Sequence, residues 1–151
     1  MKHGFIILVL ICMSSLGSAG DIPAVIGQME GFRTKIPPPQ TLSEQNGFGI
    51  KDIKGEYYLL THLSGVAERM NVDGKQNMII LMSYLKDADL KIRFIAAKAM
   101  EKELKAFPSG MSLRDVTDLH SDGHARMVSA FAKKIAEQSA AQLQSEGAPS
   151  D

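Results

Sequence analysis

The sequence has little cysteine and no tryptophan: Cys12 is the single cysteine among 151 residues. It lies within an apolar run, residues 5–13, which follows Lys2 and precedes small and polar residues that end at Ala19. This order is typical of a secretory signal peptide, so we expect cleavage after Ala19, with residues 1–19 as the signal. The mature chain would then lack a disulfide, a thiol nucleophile and a thiolate metal ligand. We therefore expect an exported protein, periplasmic or secreted, that is stable by packing alone.

Neither sign of charge is in excess, since 17 basic residues stand against 17 acidic ones. Removal of Lys2 with the signal would leave a net charge of −1. Because phosphate binding depends on clustered lysine and arginine, we expect no nucleic-acid partner. The apolar run of nine residues near the N-terminus is shorter than the about 20 that a membrane-spanning helix needs. We therefore expect no stable membrane insertion after cleavage.

Residues 20–51 are rich in proline and glycine and show no sustained period. Such a composition is typical of an extended leader. We expect this leader to contact the rest of the domain locally, through its few apolar side chains. These are Val25, Ile26, Met29 and Phe32.

From residue 52 to residue 143 the apolar residues recur with the period of an α-helix. Short polar turns divide this region into five helices, and no segment alternates like a strand, so we expect an all-α domain without a sheet of any size. Residues 144–151 are small and polar, which predicts a disordered tail. The predicted helix caps are Asp73 with Gln76 for the second helix, Asp89 for the third, Ser112 with Asp115 for the fourth and Asp122 for the fifth.

The most specific pattern covers residues 81–100. A leucine-bearing helix ends at an aspartate, and a second helix opens with a β-branched residue, an arginine and closely spaced alanines. The residues in these places are Asp87, Ile92, Arg93, Ala96, Ala97 and Ala99. This stretch resembles a HEAT or HEAT-like helical repeat, with one clear unit at about 75–105. The resemblance implies that Asp87, Asp89 and Arg93 form a turn that is tied to a neighbouring unit.

A weaker second unit, about 112–138, follows the first. The residues Asp122, Ala125, Arg126 and Ala130 stand at the places of Asp89, Ile92, Arg93 and Ala97. Because about three units are usually needed for an independent stack, the resemblance implies that flanking helices cap the stack or that its end meets a partner, such as a second copy. The expected fold is thus a short antiparallel stack of helical hairpins. A plain five-helix bundle that contains one HEAT-like hairpin is the alternative.

The segment 118–124 alternates carboxylates and imidazoles. Asp118, His120, Asp122 and His124 have the donor types that bind zinc, nickel or copper. The segment therefore suggests a metal site. The alternative is a polar surface turn in which Asp122 caps the following helix.

No other residue set in the sequence suggests chemistry. The chain has no Gly-x-Ser-x-Gly motif and no glycine loop after a strand, so we expect no enzyme and no cofactor. The leading hypothesis is a non-catalytic protein-binding or adaptor module, which contacts another protein or a second copy through a helix face near Tyr57, Tyr58 or Arg93. An exported metal-binding protein that uses the segment 118–124 is the alternative function.

Overall fold

The computed structural model describes residues 22–36, 49–105 and 112–147. Within these residues the chain is mainly helical, as expected, although it also contains a small two-stranded antiparallel sheet. The predicted signal peptide, 1–19, lies outside the described residues. The elements in chain order are α1 (Ala24–Lys35), β1 (Gly49–Lys51), β2 (Tyr57–Leu59), α2 (Leu60–Glu68), α3 (Lys75–Tyr84), α4 (Leu90–Leu104), α5 (Leu113–Thr117) and α6 (Asp122–Glu146).

The core is built around α4, which contacts all five other described helices. Its first eight residues, 90–97, are all buried, and the alanines at 96, 97 and 99 leave no exposed surface. Small side chains let neighbouring helices approach closely, which explains how one helix can pack against so many others. The apolar stripe predicted for this helix is confirmed. Its members Ile92, Ile95, Ala96, Ala99, Met100 and Leu104 are at most 3% exposed.

Two of the predicted helix caps are confirmed. The Asp89 side chain accepts a hydrogen bond from the Lys91 backbone N–H and caps α4. At α5 the side chains of Ser112 and Asp115 form a reciprocal capping box. Because a capping side chain satisfies backbone N–H groups that have no partner within the helix, both helices begin where the sequence predicts.

The other two predicted caps are wrong. Helix α3 follows Gly74, whose positive φ of 96° suits glycine, and no side chain caps it. Asp73 instead uses its backbone carbonyl, which accepts from the Asn77 side chain. Ser121, not Asp122, caps α6, because its hydroxyl accepts from the His124 backbone N–H. Asp122 is therefore the first residue of that helix.

The prediction of an extended leader is wrong for Ala24–Lys35, which form α1. Val25 and Met29 lie one turn apart and are 1% and 0% exposed, so burial compensates for the helix-weakening glycines. A Cβ at Gly27 would meet no atom within 4 Å, so that glycine is not required by packing. The local contact predicted for the leader is confirmed, since Ile26 and Phe32 also pack against the core. The three consecutive prolines of the leader lie outside the described residues.

The first predicted helix starts later than expected, because residues 49–59 form a β-hairpin. Ile50 pairs with Tyr58 across the sheet, and these two side chains are 2% and 7% exposed while their neighbours are less buried. Three-residue strands are too short to display a recognisable alternation in sequence. The expectation of no sheet is therefore wrong for this hairpin, and α2 begins only at Leu60.

At the other end of the described chain, α6 continues to Glu146, so the predicted disorder is wrong for residues 144–146. All residues from 140 to 147 are exposed, including Leu143 at 71%. Alanine, glutamine and glutamate favour a helix intrinsically, which supports this helical end without burial. No helix in the described part of the chain combines the length and apolar character needed to cross a bilayer.

The docking of α1 can be tested with Met29→Ala. Met29 is fully buried, so we expect the variant to lose about 2 to 4 kcal/mol of unfolding free energy. The matched variant Gln28→Ala changes a neighbouring exposed side chain of the same helix and should shift stability by less than about 0.5 kcal/mol. Urea unfolding followed by circular dichroism measures both. Equal midpoints for the two variants would show that α1 does not pack as described.

Candidate functional site

The four residues of the predicted metal site do not form a set of metal ligands. His120 and Asp122 are exposed, whereas His124 is 5% exposed and turned into the protein. The Asp118 carboxylate accepts from the His120 backbone N–H at 3.1 Å. Among residues 22–36, 49–105 and 112–147, no group of three histidine, cysteine, aspartate or glutamate side chains could hold a metal ion. Asp118, His120 and Asp122 line one open surface depression, whereas His124 does not, so the metal-site prediction is not supported.

The buried His124 ring links α5 to α6. Its Nδ1 lies 2.9 Å from the carbonyl oxygen of Asp115. A carbonyl can only accept a hydrogen bond, so Nδ1 carries the hydrogen in this contact. The buried Nε2 has no hydrogen-bond partner within the described residues. The imidazole therefore has a structural position, facing the core instead of the surface.

Gly123 allows the same two helices to approach. A Cβ at this position would overlap the Asp115 carboxylate, whose other oxygen accepts from the Ser112 backbone N–H in the capping box. The contact thus needs glycine for space. Beside it lies an open surface depression of about 530 Å³, whose lining includes both Arg126 and Asp122. Its charges are of both signs, so the depression favours neither an anion nor a cation.

The three residues of the predicted repeat turn do lie together, between α3 and α4. Arg93 is only 4% exposed, and its guanidinium donates to the Asp87 carbonyl at 2.8 Å. It also donates to the carbonyls of Val116 and Thr117, at 3.1 and 3.3 Å, in the last turn of α5. Burial lowers the pKa of Arg93. Arg93 therefore binds backbone oxygens instead of the aspartate carboxylates, and it joins this turn to the end of α5.

The Asp87 carboxylate has a partner that the sequence analysis did not identify. Arg33 of α1 donates to both of its oxygens, at 3.0 and 2.7 Å. Arg33 also donates to the Glu30 carboxylate. The hydroxyl of Tyr84 donates to the Glu30 carboxylate as well, at 3.1 Å. Hydrogen bonds from Arg33 hold the pKa of Glu30 below its ordinary value, and the hydrogen bond to Asp87 raises the pKa of Arg33.

Lys91 is a second residue that the sequence analysis missed. It is 5% exposed, and its Nζ lies 3.3 Å from the carbonyls of both Arg33 and Ile36 at the C-terminal end of α1. Asp89 lies 3.6 Å from the same ammonium group. A signal was present in the sequence, because two basic residues interrupt the otherwise apolar start of α4. Charges on a helix that is buried all round need partners.

The predicted partner surface is exposed only in part. Tyr58 and Arg93 are buried, so neither is available as a surface contact. The hydroxyl of Tyr58 donates to Glu56 at 3.0 Å, and burial raises the pKa of Tyr58. Tyr57 is partly exposed on the outer face of the hairpin, where the Lys51 Nζ lies 5.7 Å from the centre of its ring. The prediction that both tyrosines lie on a helix is wrong, because they lie on β2.

The tip of the hairpin carries the most exposed large apolar side chain among the described residues, Ile53 at 98%. The Asp52 carboxylate accepts from the backbone N–H groups of Lys54 and Glu56, at 2.9 and 2.8 Å. The Asp52 carbonyl accepts from Gly55, whose φ of 82° is a conformation that glycine adopts readily. The turn is thus well ordered by hydrogen bonds, and it presents Ile53 outside the body of the protein.

The chain was compared with known proteins at three levels. No family model, curated protein or solved structure matches it.

The contact between Gly123 and Asp115 can be tested with Gly123→Ala. The new methyl group must displace the Asp115 carboxylate from its capping box, and we expect a loss of about 1 to 2 kcal/mol of unfolding free energy. Gly27→Ala is the matched control, because the same change in α1 meets no neighbour within 4 Å. It should be neutral or stabilise by up to about 1 kcal/mol. Denaturant unfolding compares them, and a Gly123→Ala protein as stable as Gly27→Ala would contradict the contact.

The Glu30–Arg33 contact predicts a pH-dependent contribution to stability. Because the pKa of Glu30 is lowered in the folded protein, its ionised form stabilises the fold fully above the unfolded-state pKa of about 4.3. That contribution is lost as the pH falls through the lowered folded value. The side chain of Glu30 is 49% exposed, so we expect only about 0.5 kcal/mol.

The measurement is urea unfolding of wild type and Glu30→Gln between pH 7 and pH 2. The difference between the two proteins should be largest near pH 7 and shrink as the pH falls below 4. The exposed Glu146 provides a control, Glu146→Gln, for the loss of one charge from the chain. A difference that grows on acidification would have the wrong sign for this contact.

Proposed function

We propose that the protein is an exported, non-catalytic protein-binding module. The observation that carries the proposal is the hairpin tip, where a hydrogen-bonded turn holds Ile53 at 98% exposure. Binding residues are often carried by loops on a rigid scaffold, since such a loop can be positioned without disturbing the core.

The structural contacts of the charged side chains support the same proposal. Lys91 and Arg93 bind the carbonyl ends of neighbouring helices, and Asp87 binds Arg33. These groups therefore hold the fold together and face no open site. Lys91, Arg93 and Asp87 thus each have a structural partner, as expected of a scaffold that carries a contact surface.

Export follows from the pattern of residues 1–19, with its basic start, apolar run and small residues before the cleavage point. The HEAT-like hairpin remains a prediction from sequence. Its Asp87–Arg93 turn fits the expected role of joining one helical pair to the next helix, because Arg93 contacts the end of α5. A protein partner, or a second copy of the chain, would complete a stack this short.

Export is tested by expressing the full chain in a bacterial host and measuring the mass of the product in the envelope fraction. The expected product begins at Gly20 and is absent from the cytoplasm. A full-length product retained in the cytoplasm would contradict export.

Binding is tested separately, with the exported product immobilised and exposed to the envelope fraction of its own source. We expect saturable retention of a defined protein, or a concentration-dependent increase in mass by light scattering if the partner is a second copy. A chain that stays monomeric up to about 100 μM and retains nothing above a tag-only control would contradict the proposed function.

A further inference from the structure

The hairpin tip carries one exposed apolar side chain and two exposed lysines. Ile53 is 98% exposed, and the two lysines that flank it, Lys51 and Lys54, are exposed as well. Both acidic residues of the hairpin are engaged in hydrogen bonds within it. Asp52 accepts hydrogen bonds from the turn backbone, and Glu56 accepts one from the Tyr58 hydroxyl. The tip therefore carries one exposed apolar side chain with an exposed lysine on each side of it in the sequence.

The fold itself does not account for an isoleucine at this place. The turn is stabilised by Asp52 and by the positive φ of Gly55, and neither requires an apolar neighbour. Turn positions usually carry asparagine, aspartate, serine, glycine or proline, because these residues favour the turn backbone. A β-branched side chain that is 98% exposed gains nothing from the core, so its apolar surface is free for a partner.

The hairpin is also held firmly against the domain. Tyr58 on its inner face is 7% exposed, and its ring centre lies 6.0 Å from the Nζ of Lys91. Ile50, its cross-strand partner, is 2% exposed. The inner face thus forms part of the core while the tip stands clear of it. A partner would meet a preformed projection and would not have to order a loop.

We infer that Ile53 inserts into an apolar pocket on a partner protein, and that acidic side chains at the rim of that pocket pair with Lys51 and Lys54. This inference rests on the proposed function and names the surface and the partner chemistry. Burial of one isoleucine side chain corresponds to about ten- to a hundredfold in affinity. The flanking lysines would add orientation and salt dependence.

A membrane fits these residues less well. Each lysine near an anionic surface contributes about fivefold in binding, and stable attachment usually needs a second strong signal beside one apolar insertion. Two lysines and one isoleucine contribute too little binding free energy for stable attachment to a membrane. Nucleic acid is less suitable still, since tight binders neutralise about six to ten phosphates.

The experiment compares variants of the whole exported chain in binding to the partner isolated from the envelope. We expect Ile53→Ser to weaken binding by at least about tenfold and Lys54→Glu by about fivefold at low salt. Two matched variants lie on α3: Ile79→Ser, at a side chain 52% exposed, and Lys75→Glu, at an exposed lysine. They should bind within about twofold of wild type. Circular dichroism confirms that all four variants are folded.

A photoreactive amino acid at position 53, with position 79 as control, then locates the contact. We expect a crosslink from position 53 alone, to a partner peptide that contains or adjoins aspartate or glutamate. Vesicles with 30% phosphatidylglycerol provide the membrane comparison, and we expect no cosedimentation.

Three results would overturn the inference. Binding that is retained by Ile53→Ser, with crosslinks only from position 79, would leave the proposed function standing and remove the hairpin as its site. Cosedimentation with the vesicles that Ile53→Ser abolishes would assign the tip to a lipid surface. Retention of no protein at all would remove both the inference and the proposed function.

Discussion

Three basic side chains on α4 bind carbonyl oxygens at the C-terminal ends of three other helices, and the rest of the structure depends on these contacts. Lys91 contacts the end of α1, Arg93 the end of α5 and Lys102 the carbonyl of Glu68 at the end of α2. Lys102 is exposed and makes its contact at the surface, whereas Lys91 and Arg93 are buried. The last carbonyls of a helix lack partners within it, and a buried cation lacks water. The cation donates hydrogen bonds to the unpaired carbonyls, and these carbonyls replace the water that the cation has lost. The negative end of the helix dipole also attracts the positive charge.

The same contacts fix where the neighbouring elements lie. Lys91 and Arg93 are two residues apart on α4, so their side chains diverge and anchor α1 and α5 on different sides of the helix. Positive charge near the start of α4 is unfavourable for its own dipole, and Asp89 at the cap offsets it. Lys91 also lies 6.0 Å from the centre of the Tyr58 ring, so the hairpin contacts the core through this ammonium group as well as through the buried Ile50 and Tyr58.

The sequence predicts this arrangement where the signal is local and strong. The apolar stripe and the cap of α4 are clear because the period extends over four turns. The partner of Asp87 lies 54 residues away, and no local pattern reports a contact at that separation. Helix α1 is hidden by its glycines, and the hairpin by its three-residue strands. At α6 the sequence did hold the signal, because His124 lies one and two turns before Met127 and Phe131 on the buried stripe, so helical spacing predicts that it faces inward.

A projecting hairpin makes a different kind of contact from the helix face that the sequence suggests. A helix face near Arg93 would have to expose residues that the core uses, because α4 is buried on nearly all sides. The hairpin avoids this conflict, since its inner face supplies Ile50 and Tyr58 to the core and its tip supplies Ile53 to the outside. Ordering a flexible loop costs about 1 to 2 kcal/mol for each residue fixed. Hydrogen bonds to Asp52 have already fixed this turn, so the burial of one isoleucine can contribute to binding with little loss.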